Sequence, residues 1–122
     1  MITAPANRAY LDMKYDSGTA LGVRWAGTVD VRAAYSWDPD TVLALPAGSV
    51  AGIEAPLWTE TLPTLAEVDP MALPRLPVLA EVGWSAQAAR DRAGMRLRPA
   101  AQGPRWDAAG FGYDRRPEIP WP

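Results

Sequence analysis

One nearly unbroken apolar stretch, SVAGIEAPLW at residues 49–58, constrains the fold of this chain more than any other feature. Parallel strands that are covered on both faces read as continuous apolar runs, whereas strands with one solvated face alternate in polarity. The stretch therefore predicts a buried strand of a parallel sheet, in a barrel or a doubly wound α/β fold.

Two elements are predicted before this strand. Residues 8–15 alternate bulky and polar side chains well enough to predict a short first strand, which the turn sequence DSGT ends. Residues 27–39 predict a helix with Thr28 as its N-cap and Asp30 in its first turn. The chain is thus expected to begin as a strand, a helix and a second strand.

A second helix is predicted from about Pro74 to residue 85, with Pro77 expected to weaken or bend its first turns. An arginine-rich helix or loop and a Pro/Gly-rich tail follow. This order amounts to about two βα units, whereas a full (β/α)₈ barrel needs eight units and typically ~250 residues. The 122-residue chain is therefore expected to be incomplete as a free-standing domain.

Charge and composition exclude several classes of function. A net charge of -2 argues against a nucleic-acid partner. The four arginines at 90, 92, 96 and 98 are interrupted by Asp91 and predict a solvated face. The chain has no cysteine or histidine, which removes thiol nucleophiles, disulfides, histidine bases and the usual zinc ligands. Neither a metal nor another cofactor is expected.

The sequence contains no apolar run long enough to span a membrane, and its first residues lack the features of a signal peptide. No membrane partner is expected. The localisation stays open, because a chain without cysteines suits either side of a membrane.

Two aromatic-x-acid pairs follow the predicted strands: Tyr10 with Asp12, and Trp58 with Glu60. Residues i and i+2 of a strand share a face, and the functional rim of a parallel α/β fold lies at the carboxyl ends of its strands. A flat aromatic ring beside a carboxylate suits the apolar face and the hydroxyl rim of a pyranose. The alternative is a core aromatic followed by a solvated loop acid.

The other five tryptophans divide by position. Trp25 lies where a loop beyond the first strand can return to the rim. Packing roles are predicted for Trp37 and Trp84, which lie next to helix ends, and structural roles in the tail for Trp106 and Trp121.

The stretches YLDMKYD, LGVRWAGTVDVRAAYSWDPD, VAGIEAPLWTETL and ALPRLPVLAEVGWS closely resemble, in order, the C-terminal part of the catalytic barrel of β-N-acetylhexosaminidases, glycoside hydrolase family 20. The resemblance runs from Tyr10 to Ser85, and the tail GFGYDRRPEIPW also resembles the family's ending. It implies an α/β fold, the C-terminal portion of a (β/α)₈ TIM barrel. Residues 1–85 would form about the last two βα units, and residues 86–122 a helix and loop tail that packs on the barrel.

The resemblance also implies an exo-acting enzyme that releases terminal non-reducing N-acetylhexosamine residues by a substrate-assisted retaining mechanism, an exception to the two-carboxylate scheme. The substrate's acetamido oxygen attacks the anomeric carbon. In the family, an adjacent Asp-Glu pair orients the acetamido group and protonates the leaving oxygen. This sequence contains no Asp-Glu pair, so the general acid and the orienting aspartate are expected to come from a missing N-terminal part of the barrel.

The implied partner of the chain is an N-acetylhexosamine-containing glycan, and five residues match positions that bind the sugar in the family. Tyr10 resembles the tyrosine that hydrogen-bonds the acetamido oxygen. Asp12 and Trp25 resemble residues that hold the outer hydroxyls of the sugar. Trp58 resembles the aromatic wall, and Glu60 the acceptor for hydroxyls on the non-reducing edge.

Three functions remain open from the sequence. The chain is a fragment of a β-N-acetylhexosaminidase that is inactive by itself, a catalytically silent carbohydrate-binding remnant, or an ordinary glycosidase whose two carboxylates are Asp12 and Glu60. The third reading predicts that one of these carboxyl groups has a raised pKa.

Overall fold

A computed structural model describes all residues from 1 to 122, and its sheet consists of two short parallel strands. Strand β1 (Ile2–Thr3) pairs with β2 (Gly52–Ile53), with Ile2 opposite Gly52 and Thr3 opposite Ile53. The parallel pairing of the two strands, with helical structure in the connection between them, agrees with the α/β class predicted from the sequence.

The predicted buried strand at residues 49–58 is wrong in its length and in its burial. Only Gly52 and Ile53 are strand residues, and no residue of the stretch is buried. The partner strand limits the ladder, because Pro5 precedes a helical turn, α1 (Ala6–Ala9), that takes the chain away from the sheet. An apolar run indicates which residues can be buried. It does not determine the length of the paired strand, which depends on the neighbouring strand.

The predicted first strand at residues 8–15 is also misplaced. Its start belongs to α1, and the strand that pairs in the sheet lies earlier, at Ile2–Thr3. The extended chain after α1 makes one isolated parallel bridge, between Met13 and Val23. Three successive buried residues, at 11–13, replace the alternation that was expected.

Helix α2 (Val31–Tyr35) lies inside the predicted range, but its N-cap is Asp30 rather than Thr28. The Asp30 carboxylate accepts a hydrogen bond of 2.6 Å from the backbone N–H of Ala33, which satisfies a free donor of the first turn. A single 3₁₀ turn, Pro39–Thr41, follows.

Two helices occupy the region where one was predicted. Helix α3 (Leu65–Ala72) begins with a capping box in which the Thr64 and Glu67 side chains satisfy each other's backbone donors. Helix α4 (Arg75–Trp84) begins where the second helix was expected. Pro77 is its third residue, so the N–H that proline lacks would have had no partner within the helix. The predicted weakening by Pro77 is therefore wrong.

The tail contains the longest helix, α5 (Arg92–Ala109), which ends at Gly110 in the left-handed conformation at φ 76°. Of the four arginines predicted to form a solvated face, Arg92, Arg96 and Arg98 are exposed, whereas Arg90 is partly buried. Arg90 donates to the carbonyls of Tyr35 and Trp37, and Arg98 forms an ion pair of 2.5 Å with Glu81 of α4. The tail is thereby joined to α2 and α4. No helix of the chain is both long enough and apolar enough to cross a membrane.

The core lies where helices α2 and α4 pack against each other and against the chain after α1. Its buried apolar side chains from these three segments are Leu11, Met13, Tyr15, Val31, Ala34, Tyr35, Val78, Leu79 and Val82. The packing prediction is confirmed for Trp37, which is 8% exposed, and is wrong for Trp84, which is 92% exposed. Trp106 and Trp121 form an aromatic cluster in the tail with Tyr113.

Gly22 brings the loop after the first segment against the backbone of Asp12. Its φ is +84°, which side chains rarely adopt, and a Cβ here would meet the Asp12 carbonyl and come within 2.6 Å of Met71 Cε. The neighbouring N–H of Val23 donates to that same carbonyl at 2.9 Å. Only glycine therefore permits this approach.

We expect Gly22→Ala to destabilise the fold by about 2–4 kcal/mol, because it adds a backbone clash to the cost of a positive φ. Gly27→Ala is the matched control, since Gly27 has a similar φ of +94° and open space around it. The control should lose only about 1 kcal/mol. Urea-unfolding midpoints of the parent and the two variants measure both effects, and equal losses would refute the close approach.

Candidate functional site

The predicted site residues lie beyond the carboxyl ends of the two parallel strands. Tyr10 and Asp12 follow β1 through the turn of α1, and Trp58 and Glu60 follow β2 directly. The N–H of Leu11 donates to the carbonyl of Pro56 at 2.7 Å, which joins the two segments beyond the paired residues. The fold thus brings both aromatic-x-acid pairs to the same edge of the sheet.

Asp12 is the most unusual of these residues electrostatically. Its side chain is 1% exposed, and neither carboxylate oxygen has a hydrogen-bond partner. Burial raises the pKa of Asp12 above its ordinary value, and the Glu60 carboxylate adds to the rise. The nearby N–H groups of Asp12 and Trp58, although outside hydrogen-bond geometry, and the charge of Arg75 offset part of this effect.

The aromatic residues are presented differently. Tyr10 is half-buried and meets the ring of Trp25 edge to face, with centroids 5.9 Å apart and an interplanar angle of 84°. Trp25 and Trp58 are 68% and 55% exposed, and Glu60 is exposed beside them in the sequence. Trp58 is therefore not the core aromatic of the alternative reading.

Tyr10 and Asp12 were expected to share one face of a strand, and this prediction is wrong. Asp12 is closed off from solvent and Tyr10 is half-buried, and neither belongs to a regular strand. Trp58 and Glu60 lie after β2, in the connection to α3, and both are exposed.

Sequence reasoning missed the residue that organises this region, Arg75. The guanidinium is completely buried at the start of α4, and it lies over the ring of Tyr15 with Cζ 3.8 Å from the ring centroid. It donates to four backbone carbonyls: Leu11 at 2.5 Å, Met13 at 2.6 Å, Val29 at 2.8 Å and Met71 at 2.8 Å. A lone arginine within the apolar stretch ALPRLPVLA was the available signal.

Tyr15 and Arg116 form a second layer beneath the site. The buried hydroxyl of Tyr15 donates to the carbonyls of Pro70 at 2.9 Å and Leu73 at 3.0 Å, and burial raises its pKa to about 12. Arg116 of the tail lies 5.1 Å from the Tyr15 ring centroid and pairs with Asp16. The tail thereby contacts the segment that carries the first aromatic-x-acid pair.

Two apolar grooves lie away from these residues. One of about 700 Å³ runs between α4 and α5 and is lined by Leu76, Glu81 and Trp106 among others. Another of about 360 Å³ lies beside β2, with Ile53 and Trp84 in its lining. None of the five predicted sugar-binding residues lines either groove. Tyr10, Trp25, Trp58 and Glu60 are partly buried or exposed, whereas Asp12 is closed off from solvent.

No group of three or more acidic side chains lies together in a way that could hold a metal ion. The chemistry that this region offers is that of exposed indole rings, a phenol and two carboxyl groups. Such a set can stack against a sugar and accept hydrogen bonds from its hydroxyls.

The known proteins that resemble this chain are glycoside hydrolases. Residues 1–87 match the family described as glycosyl hydrolase family 20, catalytic domain, and the chain therefore belongs to that family. The resemblance identified from the sequence motifs is confirmed.

Two relatives match the whole chain or nearly all of it. It is 46% identical over 123 aligned residues to a β-N-acetylhexosaminidase of Cellulomonas fimi, an alignment that takes in 100% of this chain and 25% of the relative. The solved family 20 β-N-acetylhexosaminidase of Streptomyces coelicolor A3(2) matches with a TM-score of 0.94 and 51% identity, over 99% of this chain and 25% of that one.

A mutant β-hexosaminidase of Streptomyces plicatus, solved in complex with the product GlcNAc, matches with a TM-score of 0.94 and 51% identity. It covers 99% of this chain and 24% of that protein. The chain thus spans about a quarter of the length of the relatives that it matches.

The burial of Asp12 gives a test of the site's electrostatics. A carboxyl group with a higher pKa in the folded than in the unfolded state destabilises the fold when it ionises. The loss of stability begins at the unfolded-state pKa, ~3.9, and is complete once pH has risen above the folded-state pKa. We therefore expect Asp12→Asn to raise stability at pH 7 by about 0.5–2 kcal/mol, with the gain shrinking below pH ~4.

Asp40→Asn is the control, because Asp40 is exposed and its carboxylate makes no hydrogen bond. This variant should stay within about 0.5 kcal/mol of the parent at either pH. Urea unfolding at pH 7 and pH 3.5 measures the difference. An Asp12→Asn protein that is less stable than the parent at pH 7 would contradict the electrostatic account.

Proposed function

We propose that this chain supplies the sugar-binding side of the active site of an exo-acting β-N-acetylhexosaminidase, which releases terminal non-reducing N-acetylhexosamine residues. The observation that carries the proposal is the convergence of Tyr10, Asp12, Trp58 and Glu60 on one edge of the sheet, in a chain of glycosyl hydrolase family 20. The product GlcNAc bound to the Streptomyces plicatus relative supports a hexosamine as the ligand.

The proposed roles follow from the chemistry of each side chain. Tyr10 donates its hydroxyl to the acetamido oxygen, which orients that oxygen for attack on the anomeric carbon. Asp12 and Trp25 hold the outer hydroxyls, and Glu60 accepts hydrogen bonds from hydroxyls on the non-reducing edge. Trp58, which is more than half exposed, offers the flat apolar wall against which the sugar ring stacks.

The proposed architecture is the C-terminal portion of a (β/α)₈ barrel in residues 1–85, followed by a tail in residues 86–122. The parallel pairing of β1 with β2 supports the first part. For the tail, the support is the contact of α5 with α4 and the hydrogen bond of 3.0 Å from the N–H of Asp114 to the carbonyl of Leu73.

The reaction proposed is substrate-assisted and retaining, with the acetamido oxygen as the nucleophile. It needs a general acid and an aspartate that orients the acetamido group. No adjacent Asp-Glu pair occurs in the sequence, so we propose that both residues come from a preceding part of the barrel. The chain by itself would bind the sugar weakly and would not cleave the glycosidic bond.

A second candidate is an ordinary glycosidase in which Asp12 and Glu60 are the two carboxylates. One observation favours it, namely that burial and the charge of Glu60 raise the pKa of Asp12, as a general acid requires. Against it, the raised pKa of Asp12 follows mainly from its burial at 1% exposure, so the shift does not by itself indicate a general acid.

The isolated chain distinguishes these candidates. We expect it not to hydrolyse an aryl N-acetyl-β-glucosaminide above background, because general-acid assistance, usually worth ~10² to 10⁴ in rate, has no residue to supply it. Turnover that is lost in Asp12→Asn or Glu60→Gln would favour the two-carboxylate enzyme. GlcNAc binding without turnover, followed by tryptophan fluorescence, would fit both the fragment and a silent binding remnant.

Fusion to the missing part of the barrel then separates those two readings. The chain is joined to the preceding barrel segment of a family 20 relative that supplies an Asp-Glu pair. Restored hydrolysis is the result expected of an enzyme fragment. A fusion that folds and binds GlcNAc but remains inactive would identify the segment as a binding remnant.

In the active fusion, Tyr10→Phe should lower kcat by ~10² to 10³ and change KM much less. The ring is kept and one donor is lost, and that donor acts on charge that develops in the transition state. Trp58→Ala should raise KM as well as lower kcat, because the wall contacts the sugar in both states. A Tyr10→Phe enzyme that is folded and within about threefold of the parent kcat would remove the proposed role of Tyr10.

A further inference from the structure

We infer that Arg75 is the positioning residue for the Tyr10 and Asp12 side of the sugar site. It acts through the two peptide carbonyls that flank Asp12. The inference rests on the proposed function, since it takes Asp12 to be a sugar-binding residue.

The first support is the geometry of the guanidinium. Nη2 donates to the carbonyl of Leu11 at 2.5 Å, and Nη1 donates to the carbonyl of Met13 at 2.6 Å. These carbonyls belong to the residues immediately before and after Asp12. The same two nitrogens also donate to Val29 and Met71, so one rigid planar group ties the Asp12 backbone to two other segments.

The second support is the lack of regular structure around Asp12. The extended chain there makes a single bridge, between Met13 and Val23, and lies outside the two-stranded sheet. Besides the two bonds of that bridge, from Val23 to Asp12 and from Lys14 to Val23, the stretch makes one backbone bond from Leu11 to Pro56 and one from Val29 to Lys14. The two bonds from Arg75 to Leu11 and Met13 therefore add to four backbone bonds in fixing the path of the chain at this point.

The third support is that Arg75 is not explained by an ion pair. It is fully buried, yet its guanidinium hydrogen-bonds only to backbone carbonyls and has no carboxylate within salt-bridge distance. A buried cation without an ion pair carries a desolvation penalty that an apolar side chain of similar size would avoid. What an apolar residue would not supply is a fork of donors that reaches two carbonyls of one strand-like segment.

Arg75 also acts on Asp12 through its charge, in addition to its hydrogen bonds. It lowers the pKa of Asp12, in opposition to burial and to the carboxylate of Glu60. Asp12 in turn opposes the lowering of the Arg75 pKa by burial. The residue that holds the Asp12 backbone in place therefore also favours the ionised carboxylate, the form that accepts hydrogen bonds from sugar hydroxyls.

The test uses the active barrel fusion and measures how much a missing sugar hydroxyl matters. The substrates are an aryl N-acetyl-β-glucosaminide and its 4-deoxy and 6-deoxy analogues. In the parent, loss of a hydroxyl held by Asp12 should lower kcat/KM by ~10- to 100-fold. In Asp12→Ala, the deoxy analogue should have a kcat/KM within about threefold of that of the complete substrate.

If Arg75 positions Asp12, Arg75→Lys should shrink the same penalty at least fivefold, because one ammonium cannot hold both carbonyls. The double variant should show no further change beyond Asp12→Ala, as expected for two residues that act as one unit. A purely structural role for Arg75 would lower kcat/KM for all three substrates by one factor and leave the penalty as in the parent. That result would overturn the inference.

Arg98→Lys is the control, because Arg98 pairs with Glu81 on an exposed surface and should leave the penalty unchanged. Should Arg75→Lys fail to fold, Arg75→Gln keeps a planar donor group and is measured in the same way, with the same two outcomes. A parent enzyme that shows no penalty for either hydroxyl refutes the proposed role of Asp12. A parent penalty that persists in the folded Arg75 variant refutes the positioning role alone.

Discussion

The buried guanidinium of Arg75 is the interaction on which the rest of this structure depends. Its four acceptors are carbonyls from the segment after α1, from Val29 just before the N-cap of α2, and from the last turn of α3. None of these carbonyls is adjacent in sequence to the arginine. An unpartnered carbonyl in the core is unfavourable, and an unpartnered guanidinium is more so, hence the segments must assemble around Arg75 together.

Tyr15 links that centre to the tail. Its ring lies against Arg75, and its hydroxyl reaches the carbonyls of Pro70 and Leu73 where α3 passes into α4. Arg116 of the tail lies 5.1 Å from the centroid of the same ring and pairs with Asp16. The segment that carries Asp12 and the tail are therefore connected through one tyrosine, although about a hundred residues separate Asp16 from Arg116 in sequence.

The sequence predicted the family and the parallel α/β class, because these depend on local motifs and on the order of elements. The sequence mispredicted strand lengths, a helix cap and buried contacts, which depend on segments that are distant along the chain. The strand at 49–58 is short because β1 ends at Thr3. Thr28 and Asp30 are both acceptable caps, and only the path of the chain selects between them. Arg75 was missed because a single arginine in an apolar stretch does not indicate that the sequence-distant carbonyls of Leu11, Met13 and Val29 will surround it.

The order of Arg75 and its acceptors along the chain has a consequence for synthesis on the ribosome. Leu11, Met13, Val29 and Met71 are all translated before Arg75. At ~5–20 residues per second, the carbonyls around Asp12 are exposed for several seconds before the guanidinium that pairs with them exists. The nascent chain must keep this segment solvated and unpaired during that interval. The proposed sugar-binding edge is then fixed in a late step, when the start of α4 leaves the exit tunnel.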